Sequence, residues 1–220
     1  MEKYKDKYFI LPENYKIYYI SAENQQYIKD SLEKLDNLLN SINRNLDEYL
    51  GIDTEWKSSI SFLQLYVDNL KENNKNKNIL GVDKSDLSDI IQIAGNNYGF
   101  IFDTKSIYKN NKLRNKIEKL FSKNKFIGFG FSTDLPKIGE FFKKVVYKNE
   151  FIELSKVYSE IKKKKAPELK AIILELFNKE LDKRDQIADW SKRPLISSQI
   201  KYGVLDAYAL ILVYKKLNGK

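Results

Sequence analysis

Two carboxylates one residue apart, Asp53 and Glu55, interrupt the otherwise strand-like run NLDEYLGIDTEWKSS. In a strand, side chains alternate between faces, so both acids point one way and Thr54 the other. Two buried carboxylates on one face repel unless a positive charge stands between them. A divalent metal ion is the chemistry such a pair offers. A strand that ends near Asp53, leaving both acids in water, is the plain alternative.

Two further acids sit in apolar surroundings. Asp134 follows the compact run KFIGFGF and falls in the first turn of a helix, STDLPKIGEFFKKV, where an acid also serves the helix dipole. Asp206 lies inside IKYGVLDAYALILVY, four residues after Tyr202, so the two side chains share a helix face one turn apart. A solvent-facing Asp206 beside a half-buried Tyr202 would account for both, although Val204, Leu205, Ala207 and Leu210 around the acid favour burial.

Composition narrows what these groups could do. The 220 residues include no histidine and no cysteine. That excludes a Ser–His–Asp triad, a His- or Cys-ligated zinc and a disulfide framework. Any hydrolysis falls to carboxylates, Tyr or Lys. The formal charge of +9 points to a polyanionic partner, nucleic acid foremost. Only four of the 39 basic residues are arginine (Arg44, Arg114, Arg184, Arg193), a lysine bias that AT-rich coding produces equally well. The amino end, MEKYKDKYFI, lacks the apolar core of a secretory signal, and no apolar run approaches the roughly 20 residues of a membrane span. The expectation is an intracellular protein of the nucleus or cytoplasm, away from membranes.

The elements that must position these acids follow from hydrophobic periodicity. YKIYYI reads as a strand. The following SAENQQYIKDSLEKLDNLLNSI is an amphipathic helix with Ser21 as its cap. SDIIQIAGNNYGFIFDT reads as a hairpin turning at Gly95-Asn96-Asn97. NNKLRNKIEKLFSK predicts a helix, KFIGFGF a buried strand, and Ser132 or Thr133 a cap for the next helix. EFIELSKVY is strand-like. PELKAIILELFNK and SSQIKYGVLDAYALILVYKKL are helical. Residues 57–87 carry the polar, low-complexity KENNKNKN and read as an insertion with an exposed loop; residues 1–14 read as an N-terminal tail. Strands that lead and then alternate with helices predict one α/β domain over residues 1–220, a mixed sheet flanked by helices.

Together, Asp-x-Glu on a strand, an Asp after a later strand and Tyr-x-x-x-Asp on the last long helix resemble the three motifs of the DEDD-superfamily 3′–5′ exonucleases, in the tyrosine-bearing branch. GIDTEW, SDIIQIA, FIGFGFSTDL and above all LDKRDQIADWSKRPLISSQIKYGVLDAYAL are similar to the RNase D and Werner-type exonuclease domain. The resemblance spans roughly residues 15–217 and implies a ribonuclease H-like fold. It also implies that Asp53, Glu55, Asp134 and Asp206 hold two divalent ions, Mg²⁺ or Mn²⁺, about 3.5–4 Å apart. Tyr202 would orient the attacking water. The activity implied is hydrolysis at nucleic-acid 3′ ends, single-stranded or duplex, DNA or RNA, releasing nucleoside monophosphates. The competing reading is a catalytically silent nucleic-acid-binding module on the same fold. Gly203 departs from the alanine usual in the family, at about 1 kcal/mol of helix propensity. For substrate contacts the candidates are Trp56 and Phe131 beside the last base, and Lys192 and Arg193 along the phosphates.

Overall fold

A computed structural model describes residues 7–42, 49–56, 87–143 and 151–219, with the side chains of 41 and 42 excepted. The expected insertion at 57–87 lies outside these residues but for Leu87, as do the first six residues of the expected tail. Six strands form one mixed sheet: β1 (Lys16–Ile20), β2 (Leu50–Glu55), β3 (Ile90–Ala94), β4 (Tyr98–Asp103), β5 (Phe126–Gly128) and β6 (Phe151–Glu153), in the order β1-β4-β3-β2-β5-β6. The central β3 runs antiparallel to both β2 and β4, and the expected hairpin joins β3 to β4. β5 and β6 extend the sheet from β2 in parallel, and β1 pairs in parallel with β4 at the opposite edge.

Helices cover both faces, as the near-continuous apolar character of β3 requires. One layer holds α1 (Gln25–Ile42), α3 (Asn111–Lys123) and α4 (Asp134–Phe142). There Leu35, Ile117, Leu120, Ile138 and Phe141 pack on Leu50, Ile52, Ile91, Ile93, Phe100 and Phe102. The single-turn α2 (Thr104–Ile107) follows β4 directly. The other layer holds α5 (Leu154–Lys162), α6 (Leu169–Phe177) and α7 (Ser197–Leu217), through Leu154, Tyr158, Ile172, Ile173, Ala207, Leu210 and Ile211. This is the ribonuclease H-like α/β architecture expected, with β1 added at an edge.

Strand alternation then decides which way the acids point. Leu50 and Ile52 face the α1–α3–α4 layer, so Gly51, Asp53 and Glu55 face α7. The approach is close: a Cβ on Gly51 would stand 1.8 Å from the Ala207 carbonyl oxygen. Backbone lies against backbone there, and only glycine fits.

Three local expectations are corrected. The first cap of α1 is Asn24, whose Oδ1 accepts from Tyr27 N, and not Ser21, which is buried and bonded to Ser31 and Ser106. Thr133 stands at the N-cap of α4 without a side-chain cap bond. EFIELSKVY is a strand only to Glu153, because the Glu153 carboxylate accepts from Ser155 N and starts α5. That carboxylate also accepts from the backbone of Gly130 and Phe131. Burial alone would raise its pKa, but these hydrogen bonds prevail and hold it below the usual range. The loop that leads from β5 to Asp134 is fixed by this clamp.

Candidate active site

β2 and α7 bring three acids together. One oxygen each from Asp53, Glu55 and Asp206 lies within 4.8 Å of the other two. Two oxygens on opposite sides of a hard divalent ion are about 4–5 Å apart, so the set is sized for a cation. Asp134 reaches the same cleft from the other face of the sheet, at the first turn of α4, where Thr54 Oγ1 donates to its Oδ1. The residue between the two motif acids thus holds the third. The cleft encloses about 520 Å³ and is also lined by Tyr202, Lys183, Trp56, Leu169 and Ile187.

Electrostatically the cluster is short of positive charge. Burial raises the pKa of Asp53 well above the ordinary aspartate value, and Asp134 and Asp206 push the same way. Burial likewise drives Glu55 up to about 10, with Asp53 the next cause. Asp134 is raised by burial against the help of Thr54 and Lys137, and Asp206 by burial against Lys183. Tyr202 is raised too, by burial and then by Asp206, so it remains a phenol at any working pH. One oxygen of Asp206, Oδ1, is buried with no hydrogen-bond partner, while Oδ2 takes the ammonium of Lys183 at 2.6 Å. An acid-only donor set with an unpartnered buried oxygen fits a hard divalent cation and suits no soft one.

A family model described as 3′-5′ exonuclease matches residues 82–220. The chain belongs to the 3′–5′ exonuclease family. Among solved structures, the exonuclease domain of Nibbler from Aedes aegypti superposes with a TM-score of 0.68 at 17% identity, covering 96% of this chain and 91% of that one. RNase D from Escherichia coli, described as an exoribonuclease involved in structured RNA processing, gives 0.64 at 16% identity, covering 94% and 45%. The catalytic core of RRP6 from Trypanosoma brucei gives 0.63 at 16%, covering 96% and 48%. This exonuclease chain therefore spans most of the first and less than half of the other two. No curated protein sequence matches it. At 16–17% identity these solved structures share the fold of this chain. The family match begins after Asp53 and Glu55, and it is the fold that joins those two to Asp206.

The substrate-contact candidates divide. Trp56 lines the cleft, with Lys137 Nζ 4.5 Å above its ring. Phe131 does not: at 2% exposure it is a core residue whose ring packs, tilted, against Phe151 at 4.9 Å and presses over Gly128. Lys192 is exposed and is not part of the cleft lining. Arg193 is already spent. Its Nε and Nη2 grip both oxygens of the buried Asp103 at 2.7 and 2.9 Å, and it donates further to the carbonyls of Asp89 and Trp190. Tyr19 donates to the same carboxylate at 2.8 Å. Instead of a phosphate contact, Arg193 is a tie that fastens the segment before α7 to β4. Next to it the fully buried Trp190 packs with Leu195 and Val204 beside Tyr202, ring to ring at 6.0 Å. Gly203 has a reason of its own: a Cβ there would stand 3.0 Å from Gln92 Cγ, and Gln92 is the partner of Asp53 in the β2–β3 register.

The sequence carries no signal that sets Lys183 apart. Its Nζ bonds Asp206 and lies 3.3 Å from the Tyr202 hydroxyl, but in LDKRDQ it reads as one charge among several.

Proposed function

We propose that this exonuclease hydrolyses phosphodiester bonds at nucleic-acid 3′ ends and releases nucleoside monophosphates, using two divalent ions, Mg²⁺ or Mn²⁺. The observation that carries the reading is the convergence of half-buried Asp53 and Glu55 with buried Asp206, and Asp134 in the same cleft, in a site short of positive charge. Asp53, Glu55, Asp134 and Asp206 would hold the ions. Bound there, divalent ions supply charge neutralisation for the phosphate and a lowered pKa for water.

The chain's own groups do the rest. Asp53 and Glu55 are fixed by the β2 ladder, and Asp206 and Tyr202 by a helix packed backbone to backbone on that strand. Such rigidity holds the reacting groups in one geometry. Tyr202, kept as a phenol, orients a water through its hydroxyl and does not act as an ionised base. Trp56 offers the cleft an aromatic face for a terminal base.

The test is digestion of 5′-labelled single-stranded DNA and RNA with Mg²⁺, Mn²⁺ or EDTA, beside an Asp53→Ala control. A ladder shortening from the 3′ end, dependent on metal and absent in the variant, is expected. Retained binding in EDTA with neither polymer shortened by either metal would make the silent binding module the better reading.

A further inference from the structure

The floor of the cleft is acidic, but part of its mouth is bare hydrocarbon. Ile187 closes the 3-10 turn Arg184–Ile187 and lines the cleft that holds the four acids, yet it is 94% exposed. Single exposed isoleucines are ordinary on protein surfaces, and this one would need no comment elsewhere. Its place is what singles it out. The turn is pinned at both ends: Lys183 before it is bonded to Asp206 and Tyr202, and after it Trp190 is buried in the core and Arg193 is tied to Asp103. Ile187 is therefore held beside the acid cluster while adding nothing to the core.

We infer that Ile187 is an apolar platform for the 3′-terminal nucleobase, packing against its face while the terminal phosphodiester lies over the carboxylates. This rests on the exonuclease reading above. Every base has an apolar face, so such a contact is tolerant of sequence and suits an enzyme that removes nucleotides one after another. Covering an exposed isoleucine removes apolar surface from water, which favours the bound state.

The test compares the parent protein with Ile187→Ser and Ile187→Leu on oligonucleotides ending in a normal nucleotide or in a 3′-terminal abasic sugar. Ile187→Ser is expected to raise KM about tenfold, or about 1.4 kcal/mol, with a smaller effect on kcat. Ile187→Leu should restore KM, and the parent and Ser variant should converge on the abasic strand. Because the side chain is exposed, melting temperatures should agree and exclude a folding effect. An unchanged KM for Ile187→Ser, or an equal penalty on the abasic strand, overturns the platform alone. Failure of the parent protein to shorten any strand overturns the exonuclease reading, and the platform with it.

Discussion

Replacing Lys183 by Met should make the metal-free protein less stable and its metal binding tighter. The Lys183 ammonium sits 2.6 Å from Asp206 Oδ2, with the lysine side chain 24% exposed and the aspartate 4%. A unit-charge pair about 4 Å apart in an effective dielectric of about 20 is worth about 4 kcal/mol. Desolvation and ordering of the lysine offset part of this, leaving about 2 kcal/mol, in the range for charge-assisted hydrogen bonds. Methionine keeps the length of the side chain and removes the charge, so metal-free Lys183→Met should lose about that much. A divalent ion held by Asp206 takes over as its counter-charge, so the metal-loaded protein should lose much less.

By linkage the difference reappears as affinity. About 2 kcal/mol is roughly a thirtyfold tighter apparent binding of Mn²⁺ or Mg²⁺. Urea unfolding in EDTA measures the first effect, and calorimetric titration without substrate the second. The loss in EDTA should also shrink as the pH is lowered, because Asp206, whose pKa burial raises, then takes up a proton that stands in for the missing ammonium. Equal or weaker metal binding by Lys183→Met would refute the argument, since it would mean that the lysine assists the ions and does not compete with them.

Glu55 sets a pH dependence of stability in the absence of metal. Its folded-state pKa is raised by burial from 4.5 to about 10, so the folded chain holds this proton more tightly than the unfolded one. That contribution is complete below about pH 4.5 and is lost as the pH climbs through 10. Melting in EDTA should therefore fall from pH 5 to pH 9, flatten with saturating Mg²⁺ and flatten in part in Glu55→Gln; a Glu55→Gln slope equal to the parent's would sink the assignment. Gly51→Ala places a methyl group against the Ala207 carbonyl, where backbone meets backbone and neither yields. Overpacking of this kind should cost about 3 kcal/mol in urea unfolding, and a variant of parental stability would show that β2 and α7 are not in such close contact.

The site was legible where charge and burial conflict. Asp53, Glu55 and Asp206 each break an apolar run, and the structure gathers those three. The hairpin at Gly95-Asn96-Asn97 and the helical stripe of α1 were equally plain, because turn chemistry and periodicity are local. Local signals failed where a distant partner decides. Ser21 and Asn24 are both good caps, and Ser21 loses the place because Ser31 and Ser106 take it into the interior. Phe131 reads as a wedge beside Asp134, but Gly128 leaves open the space its ring fills: a Cβ there would meet the ring at 1.7 Å. Arg193 reads as a phosphate ligand, whereas Asp103, 90 residues away, has claimed its guanidinium. Lys183 looks solvated among its charged neighbours because the acid it serves is 23 residues further on. A sequence displays a charge that burial leaves without compensation and hides one that a remote residue has already compensated. The carboxylates of this site belong to the first kind. The basic residues that brace it belong to the second, and so three-dimensional contact was needed to separate Arg193, which holds the segment before Tyr202 in place, from Lys183, which holds the place of a cation.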